Sequence, residues 1–278
     1  MHAQLLTDSQ IEEFRLNGAL ILRNFYSIDS EILPIQRDIH AILGMMINWH
    51  GLPIEQEPFS PSTFDGSHQE IIGLDRKYGG YIYDAVKQLS TFRRLVSNLK
   101  NELIYKELSG ADIAGISPGA QGIRIDNPGE EKYRSRWHQE LLYQPQSYNG
   151  LVLWSPLVEL TEDMGPVDIC LKSHKDGLCV YHKSEEADHE KAYKIIIADS
   201  DNVIGKYERI SPIIGAGDLL VMNFLTIHQS GINTSNRSRW TMQMRYFNFD
   251  DPLGLEFGWP PSVTTGTPIE SIFPDNFQ

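Results

Sequence analysis

The chain has 278 residues, enough to bury a full core, and its 41% hydrophobic content excludes a disordered polymer. A formal charge of −13, with no lysine–arginine cluster to offset it, excludes the basic footprint that nucleic-acid phosphates require, and no apolar run approaches membrane-spanning length. Two cysteines, Cys170 and Cys179, make no disulfide framework at this size, and Met1-His-Ala-Gln-Leu-Leu lacks a charged-then-apolar signal, so a soluble, cytoplasmic protein is expected.

In chain order, Thr7 is a good N-cap with Gln10 three residues on, Leu6 and Ile11 stand where a hydrophobic staple would, and Asn17-Gly18 ends the helix. Residues 19–25 read as a strand. A second helix starts near Asp29 or Ser30, tolerates Pro34 in its first turn, and puts Ile32, Ile35, Ile39, Ile42, Leu43 and Met46 on one core face. Residues 49–78 are irregular, with Pro53, Pro58 and Pro61, and carry His50, His68 and Gln69; a substrate-covering loop is the functional expectation for so long an aperiodic stretch. Helical periodicity returns at 83–89 and continues through Phe92, Leu95, Val96, Leu99, Leu103 and Ile104 to Ser109-Gly110, a long helix expected to buttress a sheet.

From Ile116 onward short alternating strands dominate. Residues 122–126 put Arg124 and Asp126 on one interior face, where Arg124 meets a ligand or closes an internal salt bridge. Residues 151–160 form another strand with Val152 and Trp154 on one face. The charged stretch 184–191 reads as a solvated insertion, which outweighs a metal role for His182 or His189, and His174 reads as a structural hydrogen-bonding residue. No repeat or linker divides the chain. One domain is expected over 1–278, with a helical front to about 115, a β core over about 116–250 and a tail over 251–278.

The chemistry concentrates in Trp137-His138-Gln139-Glu140 and, much later, Ile227-His228-Gln229-Ser230. Two neutral imidazoles and one carboxylate hold one face of Fe(II) and leave the other open. On a strand, residues i and i+2 share a face, so His138 and Glu140 can reach one metal together. His-x-Glu alone is weak in a chain with nine histidines. Arg239 sharpens it: it follows His228 by 239 − 228 = 11 residues and heads an alternating strand, where a buried guanidinium wants a bidentate carboxylate partner.

Four motifs in order, 6–27, 138–143, 154–165 with 172–177, and 217–233, are similar to those of the phytanoyl-CoA dioxygenase family of Fe(II)/2-oxoglutarate oxygenases. The resemblance implies a mainly β fold with helical additions, a double-stranded β-helix of jelly-roll, cupin-like type buttressed by N-terminal helices. It implies that His138 and His228 ligate iron with Glu140 in the place usually held by Asp, and that Arg239 with Ser230 binds the distal carboxylate of 2-oxoglutarate. Trp154 and Tyr143 would wall the cosubstrate, with Arg124 a further contact. The implied reaction consumes O2 and 2-oxoglutarate, hydroxylates a small molecule at an unactivated C–H and releases succinate and CO2. A retained carboxylate ligand favours hydroxylation over halogenation. The acidic chain, without a phosphate-binding cluster, favours a small polar metabolite or natural-product intermediate over an acyl-CoA. A cupin-type isomerase or cosubstrate-independent dioxygenase, and a noncatalytic jelly-roll metabolite-binding protein, are the alternatives. Arg239 and the missing His-x-His argue against the cupin, and ligands kept together with Arg239 argue against the binding protein. The oligomeric state is left open.

Overall fold

A computed structural model describes residues 4–183, 195–260 and 268–277. The front of the chain begins as its caps dictate. Helix α1, Asp8–Asn17, opens on a full capping box between Thr7 and Gln10 and closes on Gly18 in the left-handed region, with φ 73°. Strand β1, Ala19–Leu22, is shorter than the expected 19–25, because the chain turns at Asn24, whose φ is also positive. One wide π-type turn, Ile28–Ile32, capped by Ser27, leads into α2, Leu33–His50, with Pro34 in its first turn. Its buried face is Ile35, Ile39, Leu43 and Ile47, so the stripe runs to Ile47, while Ile42 and Met46 lie at its edge.

The irregular stretch contains a helix that its prolines and glycines obscure: α3, His68–Leu74, is followed by α4, Lys77–Val86. The long helix expected next is two, α5, Ser90–Val96, and α6, Leu99–Ser109. Asn98 breaks them by accepting the Lys100 N–H as an N-cap, which places Leu99 at an exposed start. Helix α6 packs on the sheet, as expected.

The rear is short strands: β2 Ala114–Ile116, β3 Gly122–Asp126, β4 Leu151–Pro156, β5 Val167–Cys170, β6 Tyr181–Lys183 and β7 Ile195–Ile197; then helix α7 Ser200–Ile204; then β8 Arg209–Ile210, β9 Leu219–Asn223, β10 His228–Ser230 and β11 Arg239–Asn248. Helices α8, Pro252–Phe257, and α9, Ile269–Ile272, follow. The main sheet runs β1-β9-β4-β11-β2, with β3 also paired to β11; a smaller sheet runs β10-β5-β8, and β6 pairs with β7. All pairings between these strands are antiparallel. The fold is the mainly β jelly-roll type with helical additions. Among the described residues no strand pairing closes the two sheets into a barrel.

The period of two along β11 sorts the layers. Trp240, Met242, Met244 and Tyr246 are fully buried, and they meet the helices: Tyr246 stacks beside Tyr105 of α6 and Trp240 beside His68 of α3. Their alternates Gln243 and Arg245 face a cavity, as do Val152 and Trp154 of β4 and Met222 of β9, while Val167, His228 and Ser230 close it from the smaller sheet. A sheet covered on both sides explains why all six residues of β4 are buried. Cys170 and Cys179 are free thiols, and among the described residues no helix is long and apolar enough to cross a membrane. His189 and the rest of 184–191 lie outside the described residues; His182 is in β6.

Candidate metal centre

His138 and His228 face each other across an isolated antiparallel bridge, exchanging two backbone hydrogen bonds of 3.0 Å. This pairing fixes the two imidazoles side by side, with ring centroids 4.3 Å apart. Gln139 is extended, with φ −115° and ψ 136°, and Glu140 then opens a 3-10 turn, Glu140–Leu142. The ligands are thus not on one regular strand as the spacing predicts. One extended residue suffices to return Glu140 to the face of His138, and the turn follows because the chain leaves the sheet there.

Ligand atoms of His138, Glu140 and His228 all lie within 4.8 Å of one another, and the three side chains are buried. The His138 Nδ1 lies 2.7 Å from the Arg136 carbonyl and the His228 Nδ1 lies 2.8 Å from the Thr226 carbonyl. A carbonyl only accepts, so both rings carry their proton on Nδ1 and both Nε2 atoms present a lone pair to a cation, with Ser135 Oγ 3.5 Å from that of His138. Burial, with His228 beside it, pulls the His138 imidazole down to about 3 despite Glu140, and burial likewise lowers His228. Burial works to raise Glu140, but Arg245 and then His138 outweigh it and its carboxyl lies below the ordinary value. Two neutral imidazoles and one carboxylate are the protonation states a metal needs.

Arg245 is the residue that the motifs do not reveal. Its Nε donates to Glu140 Oε1 at 2.9 Å and its Nη2 approaches Oε2 at 3.3 Å, while further donors hold Ala120 O at 2.7 Å and Gln243 Oε1 at 2.8 Å. The sequence offered only its face, since Arg239, Thr241, Gln243 and Arg245 alternate along one strand, and not its partner.

The cavity, about 310 Å³, is lined by His138, Glu140, His228, Ser230, Trp154, Tyr143 and Arg124, as well as Arg245. Arg239 is not among its lining residues. It is 1% exposed, ion-paired to Asp126 at 2.9 Å, and donates to Met164 O at 3.2 Å. Its Nε is buried without a partner. Arg124 binds the same Asp126 at 2.7 Å, the internal salt bridge, and it also lines the cavity. Burial raises Asp126, but Arg124 and Arg239 hold it down at about 2. Residues 49–78 line none of this cavity; Tyr83 and Lys87, beyond them, do. His174 has its Nε2 3.2 Å from the Arg15 carbonyl at the end of α1, a structural placement.

No curated protein matches the sequence. Solved structures share the fold at low identity. EctD from S. alaskensis, with 2-oxoglutarate and 5-hydroxyectoine, has a TM-score of 0.59 at 15% identity over 92% of this chain and 82% of that one. The non-heme alpha ketoglutarate dependent carbocyclase SnoK from nogalamycin biosynthesis has 0.57 at 16% identity, covering 89% and 86%. The epimerase SnoN in complex with Fe3+, alpha ketoglutarate and nogalamycin RO has 0.55 at 14%, covering 90% and 88%. The Phytanoyl-CoA dioxygenase (PhyH) family model matches residues 14–241, more than half of the chain, and the protein belongs to that family.

Proposed function

We propose that the protein is an Fe(II)- and 2-oxoglutarate-dependent dioxygenase that hydroxylates an unactivated C–H of a small molecule. The observation that carries this reading is the convergence of two Nε2 lone pairs and one carboxylate at the wall of a cavity. Such a donor set suits Fe(II) and covers only one face of it. His138, Glu140 and His228 would hold the metal. Bound iron with 2-oxoglutarate supplies an oxidant from O2, and the cosubstrate leaves as succinate and CO2. The chain's own residues orient and shield: the Arg136 and Thr226 carbonyls fix the two rings, Arg245 fixes the carboxylate, and burial keeps bulk water from all three.

Two guanidiniums share the single Asp126 carboxylate, and Arg239 keeps a buried, unpaired Nε. The Arg239 Nε is thus a buried donor that an anionic acceptor would satisfy. The distal carboxylate of 2-oxoglutarate supplies such an anion, with Ser230 beside it and Trp154 and Tyr143 as walls. EctD bound to 5-hydroxyectoine supports a hydroxylation outcome, and SnoK and SnoN show that this fold also serves other outcomes. The cupin alternative gives no reason for the arginine pair.

Arg239→Gln keeps Arg124 on Asp126 and removes the second cation. The 2-oxoglutarate Kd, read from the Fe(II)–2-oxoglutarate charge-transfer band under nitrogen, should rise at least about 30-fold, the loss of about 2 kcal/mol for a buried charge pair. An unchanged titration removes Arg239 from the cosubstrate site.

A further inference from the structure

A second cavity of about 310 Å³ adjoins the first, sharing Tyr83 and Arg124 as wall, and is further lined by His68, Arg76, Gly80 and Tyr133. His68 is 1% exposed, and its Nε2 is buried with no partner. A buried polar atom left unpaired costs about 1–3 kcal/mol, so it calls for a reason.

A chain of hydrogen bonds fixes what that nitrogen offers. Asn127 Nδ2 donates to the Glu130 carboxylate at 2.9 Å, so Asn127 Oδ1 faces the other way. The reverse amide would set a carbonyl against a carboxylate. Ser238 Oγ gives its one proton to that Oδ1 at 2.8 Å and accepts the Gln69 amide, leaving only a lone pair for His68 Nδ1, 3.1 Å away. His68 Nδ1 therefore carries the ring proton, and Nε2 is a bare acceptor. Burial and then Arg76 hold the imidazole down at about 4, which keeps the ring neutral. The Arg76 charge is already met by Glu130, with Nη2 to Oε2 at 2.8 Å.

We propose that this second cavity binds the part of the substrate remote from the oxidised carbon, and that His68 Nε2 accepts a hydrogen bond there from a neutral hydroxyl or N–H on a ring. Tyr83 and Tyr133 supply aromatic lining, and Gly80 of α4 leaves open space where a side chain would stand. A carboxylate or phosphate at the same point would meet a lone pair and be repelled. The ligand class is a hydroxylated or amino-bearing ring compound. The inference rests on the oxygenase reading only for what fills the first cavity.

Phenol, toluene and benzoate are matched probes: donor, no donor and anion on one ring. In protein with ¹⁵N-labelled histidine, His68 Nε2 should resonate as an unprotonated nitrogen and move on addition of phenol. Phenol should bind at least about fivefold more tightly than toluene or benzoate, the worth of one buried neutral hydrogen bond. His68→Phe should erase the preference for phenol over toluene. Gly80→Leu, which fills open space, should weaken phenol and toluene alike, and both variants should keep the Fe(II)–2-oxoglutarate band. A proton on Nε2, equal binding of phenol and toluene, or a preference surviving His68→Phe overturns the subsite. If wild-type protein lacks the band but keeps the phenol preference, the oxygenase reading fails and the subsite stands.

Discussion

Glu140 carries its carboxylate one methylene further from the backbone than an aspartate would, and Arg245 takes up the freedom this adds. The Nε contact at 2.9 Å holds Oε1 more closely than Nη2, at 3.3 Å, holds Oε2, and Oε2 lies 3.9 Å from His138 Nε2. Partners that orient a ligand commonly contribute 10- to 100-fold to metal affinity. Arg245→Met should therefore weaken Fe(II) binding by about that factor, read by competition with a chelator under nitrogen; unchanged affinity would make Arg245 a mere charge partner. The three candidate ligands were legible in the sequence because their chemistry lies in the residue types themselves. Arg245 was not, because its role depends on Glu140 turning away from the strand, which only the 3-10 turn reveals. Arg239 was visible as a buried cation, but its pairing with Asp126 depends on the β3–β11 register, Arg239 opposite Asp126.

At the level of elements, caps were read more accurately than interiors. The capping box at Thr7 and the left-handed Gly18 stand where local chemistry puts them. Asn98 divides the α5–α6 run because an N-cap side chain competes with apolar periodicity that would carry straight through. Helix α3 was hidden by flanking prolines and glycines. Gly18 also shows how one element positions another: a Cβ there would clash with His174 Nδ1 and Thr226 Oγ1, and Thr226 Oγ1 donates to the Gly18 carbonyl at 2.7 Å. The end of α1 is thus pressed against the turn that delivers His228. Gly18→Ala adds left-handed strain of about 1–2 kcal/mol to that clash, and should cost more stability than Thr7→Ala, which removes about 1 kcal/mol at the other end of the helix. Chemical denaturation of both variants checks the order; equal losses would mean the contact relaxes freely.

At the scale of the whole molecule, the candidate metal centre belongs to neither sheet alone. His138 and His228 lie on the smaller sheet's edge, joined by one bridge across 228 − 138 = 90 residues, while Arg245 reaches Glu140 from the main sheet. The β-rich rear was legible because alternation and short strands repeat along it, and the jelly-roll class followed from the family resemblance. The cavity's far wall was not, since Tyr83 and Lys87 come from the helical front, which carries no motif for the site. One measurement bears most directly on the account: anaerobic titration of metal-free protein with Fe(II) and then 2-oxoglutarate, for the wild type and His228→Ala. The account predicts one Fe(II) per chain and a charge-transfer band on adding 2-oxoglutarate, both lost in the variant. Fe(II) bound equally by the two proteins, or a wild-type complex that develops no band, would contradict it.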